Sequence, residues 1–201
     1  MLALKKKIAI TGGVAAGKTT VCQIFAKNGA YVLNADQIVH HLLSPNTEAG
    51  KQVIRLLGPD ILTAQQIDRK KIAQKVFGHP ERLRALEKIL HPIVFDEIEK
   101  HYQTVKENPK IPFFVAEVPL LYETEQEHYF DIVISVIADE TICKSRFRKD
   151  DEYERRMERQ LPPAHKANKS HFVIINNGTL QELENQVNQL MRSPAFNESR
   201  R

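Results

Sequence analysis

The sequence predicts an α/β fold with a five-stranded, mostly parallel sheet, and two observations support this prediction. Short apolar runs recur along the 201 residues, and patterns typical of helices separate them. The runs at 111–121 and 132–137 are almost wholly apolar, as in strands buried on both faces of a parallel sheet. Parallel strands connected through helices are covered on both faces, so we expect a three-layer sandwich with ligands at the carboxyl ends of the strands.

The first two strands each end in residues suited to a ligand site. Residues 8–10 form a short apolar run that Gly12 and Gly13 end, and a helical pattern begins just beyond them. Residues 30–33 form the second strand, which leads into Asn34-Ala-Asp36. We therefore expect the loops after these two strands to face one cleft.

The middle of the chain, 37–103, has a largely helical pattern interrupted by prolines. Pro disfavours helix at the residue before it, so Pro45, Pro59, Pro80 and Pro92 predict several short helices.

After this region the alternation of strands and helices resumes. The runs at 111–121 and 132–137 supply the third and fourth strands, and 172–175 supplies the fifth. Residues 139–169 between the last two strands are rich in charge and predict a mobile surface arm. Apolar spacing over 180–191 predicts a final amphipathic helix, and the polar tail after Pro194 is expected to fray.

Composition and charge restrict the function only weakly. The chain has 29 basic and 25 acidic residues, for a net charge of +4, and the charges are mixed along it, which favours a solvated surface over a nucleic-acid-binding face. Cys22 and Cys143 are too few for a disulfide framework, and we expect both to be buried thiols. No apolar run approaches the roughly 20 residues that span a bilayer. We expect a cytoplasmic protein that binds neither membrane nor nucleic acid.

The loop after the first strand carries the strongest motif. Its sequence fits G-x-x-x-x-G-K-[ST], in which glycines let successive backbone N–H groups wrap around a phosphate. Lys18 then supplies a cation to the β- and γ-phosphates, and Thr19 supplies a hydroxyl to Mg²⁺. The predicted ATP-binding residues here are Gly12, Gly13, Val14, Ala15, Ala16, Gly17, Lys18, Thr19 and Thr20.

This motif is shared by kinases, GTPases and ATPase motors, and the rest of the chain narrows the choice. No Asn-Lys-x-Asp guanine-reading sequence is present, and 201 residues leave little room for motor machinery. A small P-loop kinase is favoured. Asp36 lies where a carboxylate could take the proton of an acceptor hydroxyl, although an Asp at this place is as often a helix cap.

Several blocks in order resemble the dephospho-coenzyme A kinase family along nearly the whole chain. They are Thr11-Gly-Gly-Val-Ala-Ala-Gly-Lys-Thr-Thr20, Asn34-Ala-Asp36, Leu86-Glu-Lys-Ile-Leu-His91-Pro92, Val118-Pro-Leu-Leu-Tyr-Glu123 and Ile175-Asn-Asn-Gly178. The resemblance implies transfer of the ATP γ-phosphoryl group to the ribose 3′-hydroxyl of dephospho-coenzyme A. A kinase for another nucleoside-like metabolite is the alternative.

The resemblance also implies a division of the single kinase domain, 1–201. Residues 1–36, 111–138 and 170–195 form the nucleotide-binding core, 37–103 the helical insertion on the coenzyme A side, and 139–169 a lid. The protein is expected to be a monomer or a weak homo-oligomer.

The resemblance implies roles for individual residues as well. Asp36 and Lys18 are catalytic, with a lid arginine, Arg148 or secondly Arg146, over the transferring phosphate. Mg²⁺ is held by Thr19, with Glu117 as a candidate partner through water. The predicted substrate-binding residues are Asp36, Arg69, His91 and Tyr122, with packing as the alternative for the last two, and Asn176 and Asn177 are expected to read the adenine.

Two positions depart from the family pattern. The family usually has D-A-D where this chain has Asn34-Ala-Asp36, so only the second carboxylate is present. Ser170-His171 stands where the family commonly has Ala-Asp, and the sequence alone offers no physical account of this exchange.

Overall fold

The computed structural model describes residues 5–147 and 150–198. The strands are β1 (Lys7–Gly12), β2 (Tyr31–Asn34), β3 (Leu62–Thr63), β4 (Gln66–Ile67), β5 (Phe114–Glu117), β6 (Ile132–Ile137) and β7 (Phe172–Ile175). The helices are α1 (Lys18–Lys27), α2 (Ala35–Leu42), α3 (Glu48–Leu57), α4 (Arg69–Val76), α5 (Pro80–Val105), α6 (Glu140–Phe147), α7 (Asp150–Met157), α8 (Pro163–Lys169), α9 (Leu180–Arg192) and α10 (Pro194–Glu198).

The chain forms two compact units. The sheet unit comprises Met1–Asn34 and Tyr102–Arg201, and the helical unit comprises Ala35–His101. The helical unit therefore spans nearly the residues predicted as the insertion, 37–103.

The sheet unit contains the five-stranded parallel sheet that the sequence predicts. Its strand order is β2-β5-β1-β6-β7, and every neighbouring pair is parallel. On one face, Ile134 joins the apolar cluster formed with α1 and α9. On the other face, the next residue, Ser135, bonds to Ser170 at the end of α8. Helices thus cover both faces, and the three-layer sandwich is confirmed.

The last strand is less buried than its apolar sequence suggests. β7 lies at the edge of the sheet, where Val173 and Ile175 are 42% and 53% exposed. An apolar run indicates a strand, but the sequence does not reveal whether a neighbouring strand covers it.

The expectation of a frayed tail after Pro194 is wrong for residues 195–198, and residues 199–201 lie outside the described part of the chain. Residues 194–198 form α10, and Phe196 is only 1% exposed. Its ring centroid lies 5.6 Å from those of Phe113 and Phe172, so α10 packs against the apolar core of the sheet unit. Both cysteines are buried as expected, and burial raises the pKa of each thiol.

The helical unit differs from its prediction at two places. Strands β3 and β4 form a short antiparallel hairpin within a region that was expected to be helical. Pro92 does not interrupt a helix, because it lies inside the 26-residue α5. The buried side chains of Leu90 and Val94 flank this proline, so packing maintains the helix across the lost hydrogen bond.

Candidate functional site

The predicted phosphate-binding loop connects the end of β1 with the start of α1. Its glycines are required by close contacts as well as by backbone conformation. A Cβ at Gly12, where φ is 139°, would lie 2.0 Å from the Val136 carbonyl oxygen. A Cβ at Gly17, where φ is 103°, would lie 2.2 Å from Nδ2 of Asn176. The loop therefore tolerates only glycine at both positions.

Lys18 is the first residue of α1 and is 8% exposed. Its ammonium group donates to the carbonyl oxygens of Gly12 at 3.2 Å and Gly13 at 2.7 Å. These bonds hold the Lys18 ammonium group against the phosphate-binding loop. The positive end of the helix dipole lies at the same place, so this end of α1 favours an anion.

The loop opens into a cleft of about 380 Å³ within the sheet unit. Lys18, Thr19, Glu117 and Arg146 all line it, so two cations, a hydroxyl and a carboxylate share one cavity. The other lining residues are Ala15, Gly17, Thr20, Asn176, Gly178, Leu180 and Leu183. Sequence reasoning missed Leu180 and Leu183 because their spacing indicated only an amphipathic helix.

Glu117 lies at the end of β5 with both carboxylate oxygens hydrogen-bonded. Oε1 accepts from the Thr19 hydroxyl at 2.9 Å, and Oε2 accepts from the Asn34 amide at 2.9 Å. The parallel register aligns Asn34 and Glu117 at the ends of adjacent strands. This is a physical role for Asn34: its amide orients a carboxylate, whereas an aspartate at this position would repel one.

Arg146 and Asn176 meet on one side of the cleft. The Arg146 guanidinium donates through Nη2 to the Asn176 carbonyl oxygen at 3.1 Å, and more weakly to its Oδ1 at 3.5 Å. Arg148, the preferred lid arginine, lies outside the described residues. Asn177 is exposed, and its Oδ1 accepts from the backbone N–H of Asp139 at 2.8 Å.

Three of the predicted site residues belong to the helical unit. Asp36 is exposed in the first turn of α2, and Arg69 is the exposed first residue of α4. His91 lies in the middle of α5, directly before Pro92. Burial lowers the pKa of His91, which Glu87 partly opposes, and this favours the neutral imidazole.

Tyr122 is 3% exposed and joins a partly buried chain of hydroxyl groups. The Ser170 hydroxyl lies 2.8 Å from the Tyr122 hydroxyl and 2.7 Å from that of Ser135. His171 accepts a bond from the backbone N–H of Val133 through Nδ1 at 3.1 Å. Ser170 and His171 therefore connect the end of α8 to the sheet.

A buried ion pair near the loop was not predicted. The Lys166 side chain is fully buried, and its ammonium lies 2.8 Å from Glu123 Oε1. It also donates to the Pro119 carbonyl at 2.8 Å and to Gln160 Oε1 at 3.2 Å. Burial lowers the pKa of Lys166, and Glu123 opposes that change. Lys166 stands in a polar stretch that predicted a solvated surface, so the sequence carried no signal for this pair.

Comparison with known protein families identifies a full-length relationship. The model of the dephospho-CoA kinase family matches residues 6–182. A dephospho-CoA kinase of Protochlamydia amoebophila is 46% identical over 191 residues, which cover 92% of this chain and 94% of that protein.

Solved structures agree on the fold. The crystal structure of TT1252 from Thermus thermophilus is 27% identical, with a TM-score of 0.79 over 93% of this chain and 96% of the other. A dephospho-CoA kinase from Campylobacter jejuni has a TM-score of 0.70 at 23% identity, over 96% and 99% of the two chains. Among the described residues, no helix is long and apolar enough to cross a membrane.

Proposed function

The chain belongs to the dephospho-CoA kinase family, and we propose that the cleft around Lys18, together with Asp36, performs the family reaction. In this reaction ATP phosphorylates the ribose 3′-hydroxyl of dephospho-coenzyme A, which is the last step of coenzyme A biosynthesis. The observation that carries the assignment of the site is the cleft, which combines the glycine loop, Lys18, Thr19, Glu117 and Arg146.

The phosphates of ATP bind in the loop between β1 and α1. Backbone N–H groups and the α1 dipole attract the anion, and the Lys18 ammonium exchanges the carbonyl oxygens of Gly12 and Gly13 for phosphate oxygens. Arg146 lines the same cleft and stabilises the negative charge that develops on the transferring phosphoryl group. Arg148 is proposed for the same role from the sequence.

Mg²⁺ fits the oxygen groups beside the loop. The Thr19 hydroxyl and the Glu117 carboxylate lie 2.9 Å apart, and hard oxygen donors are the ligands that this ion prefers. Thr19 would hold the ion directly and Glu117 would hold it through water. When bound, the ion would supply positive charge that offsets the charge of the β- and γ-phosphates. Asn34 keeps the Glu117 carboxylate oriented through its amide.

Asp36 is proposed as the group that receives the acceptor proton. As the 3′-oxygen forms its bond to the γ-phosphorus, the bond from that phosphorus to the β–γ bridging oxygen breaks, and ADP leaves. The hydroxyl proton passes to the carboxylate. Arg69 and His91 are proposed to hold the coenzyme A portion. The Tyr122 ring is buried, so its proposed role is to pack beneath the substrate side of the cleft.

A product assay tests the function. The purified protein is incubated with MgATP and, separately, with dephospho-coenzyme A, adenosine and AMP, and phosphorylated products are identified by mass spectrometry. We expect coenzyme A as the main product. Preferential phosphorylation of adenosine or AMP would instead support a kinase for a nucleoside-like metabolite.

The Asp36 assignment has its own test. Asp36→Asn keeps the size of the side chain but removes the proton acceptor, so kcat should fall by about 10²-fold or more while MgATP binding remains intact. Near-normal turnover would refute the assignment.

The cellular setting follows from the biosynthetic role. We propose a cytoplasmic enzyme that acts as a monomer or weak homo-oligomer and does not bind nucleic acid. Cell fractionation, light scattering across a concentration series and a DNA-binding titration test these three points.

A further inference from the structure

Asn176 follows β7 and is 6% exposed, which is unusual for an amide at the end of an edge strand. Its Nδ2 group donates to the carbonyl oxygen of Ala16, in the phosphate-binding loop, at 2.8 Å. Its backbone N–H donates to the Ile137 carbonyl at 2.8 Å. One residue therefore connects the loop to the ends of two strands.

The packing around this amide is tight. Nδ2 occupies the space that a Cβ at Gly17 would fill, since the two positions are 2.2 Å apart. The loop backbone and the Asn176 side chain therefore fit each other closely. The hydrogen bond also satisfies the Ala16 carbonyl at a place where the loop must present its N–H groups to a phosphate.

We propose that Asn176 is a positioning residue for phosphate binding, which braces the loop through Ala16, and that it does not read the adenine base. The backbone carbonyl oxygen of Asn176 also accepts the 3.1 Å bond from Arg146, so this one residue holds both the loop and the arginine. This inference rests on the proposed function only for the role of Arg146. The hydrogen bond from Asn176 to Ala16 would support the binding of nucleotide phosphates with any acceptor substrate.

The test compares a ligand that has a base with one that has none. Asn176→Asp keeps the shape of the side chain but replaces the donor that faces the Ala16 carbonyl with a second acceptor. Gln186→Glu is the matched control, because it makes the same chemical change in an exposed side chain whose Nε2 donates to the nearby Ile175 carbonyl at 3.0 Å. Calorimetry then gives the dissociation constants of MgATP and magnesium tripolyphosphate.

If Asn176 braces the loop, Asn176→Asp should weaken the binding of MgATP and of magnesium tripolyphosphate equally. We expect the two dissociation constants to rise by the same factor, on the order of 10-fold, because a buried carbonyl loses its donor. Gln186→Glu should change neither. With dephospho-coenzyme A as acceptor, Asn176→Asp should raise the KM for ATP, whereas Gln186→Glu should keep both kcat and KM at their wild-type values.

Other results would overturn the proposal. A loss confined to MgATP would assign Asn176 to base recognition, and unchanged dissociation constants for both ligands would exclude a brace. If Asn176→Asp fails to fold by circular dichroism, Asn176→Ala removes the donor without adding a charge and faces the same two criteria. Tripolyphosphate binding does not depend on the acceptor, so failure of the brace is distinguishable from failure to phosphorylate dephospho-coenzyme A.

Discussion

The sheet unit and the helical unit differ in the kind of side chain that they bury. All six buried polar residues of the described chain lie in the sheet unit: Thr11, Lys18, Glu117, Ser135, Lys166 and Asn176. The buried side chains described in the helical unit are apolar, such as Val53 and Ile72. Burial of a polar group is costly unless its hydrogen bonds are satisfied.

This difference indicates that the sheet unit uses buried polar side chains in a functional site, whereas the described interior of the helical unit only packs. Five of the six buried polar residues form hydrogen bonds with the phosphate-binding loop, with helix α1 or with the segment after β5: Thr11, Lys18, Glu117, Asn176 and Lys166. Substitutions at such residues should affect activity or stability strongly. Polar groups at the surface of the helical unit should matter much less for stability, and among them Asp36 and Arg69 are expected to affect activity through their proposed roles.

The largest effect is expected at Lys18. Lys18→Ala removes the cation from the loop, and kcat/KM should fall by about 10²- to 10³-fold, as for the loss of other groups that stabilise transition-state charge. Initial-rate kinetics with MgATP and dephospho-coenzyme A measure this effect. Lys27→Ala, in the exposed last turn of the same helix, is the control and should retain activity. If Lys18→Ala retained normal turnover, the phosphate-binding loop would not take part in the mechanism as proposed.

The buried ion pair should show the next largest effect. Lys166→Met removes the partner of Glu123, whose Oε2 is already buried without a hydrogen-bond partner among the described residues, so the free energy of unfolding should fall by about 3 kcal/mol. Urea denaturation measures this change. The double variant Lys166→Met/Glu123→Leu should recover most of the loss because no isolated charge remains.

A control for this pair lies on the same helix. Lys169 is paired with Glu127 at 2.9 Å, but the two side chains are 47% and 34% exposed. Glu127 Oε2 is also buried without a hydrogen-bond partner among the described residues, so Lys169→Met should have a cost, but a smaller one than Lys166→Met because water solvates the exposed part of this pair. A double variant as unstable as Lys166→Met would mean that cavity formation, and not the unpaired charge, dominates the loss.

The sequence predicted best the parts of the sheet unit whose signals are local. The strands at 132–137 and 172–175 and the start of the helix at Leu180 agree with the structure to the residue. An apolar run or a glycine motif determines local structure over a few residues, so the sequence alone is enough to recognise it.

Features that depend on distant partners were not predictable. Phe196 is buried because aromatic rings from β7 and from the segment before β5 surround it. The buried Lys166 is compensated by Glu123, which lies beside it. Asn176 was expected to read the adenine, and nothing local in the sequence indicated that its amide bonds to a loop 160 residues away. Pro92 predicted a helix break, but the packed residues on either side outweigh one missing hydrogen bond.

Two buried valines separate stability from nucleotide binding. Val53 on α3 and Val21 on α1 are both 0% exposed, and either Val→Ala change should lower the free energy of unfolding by about 2 kcal/mol. Only Val21 packs in the cluster behind the phosphate-binding loop. We expect the MgATP dissociation constant, measured below the unfolding transition, to rise in Val21→Ala and to stay unchanged in Val53→Ala. An equal rise in both variants would contradict the functional distinction between the units.

The smallest effect is expected at an exposed ion pair of the helical unit. Lys75 and Asp60 lie 2.7 Å apart, with the aspartate side chain 67% exposed, so water already solvates the carboxylate. Lys75 also donates to the Leu57 carbonyl at 2.6 Å and keeps this bond if the aspartate is neutralised. Asp60→Asn should therefore shift Tm by less than about 2 °C, and less still at high salt. Glu123→Gln makes the same carboxylate-to-amide change beside the buried Lys166 and should lower Tm by about 6 °C or more. Equal shifts in the two variants would mean that burial does not determine what these charges contribute.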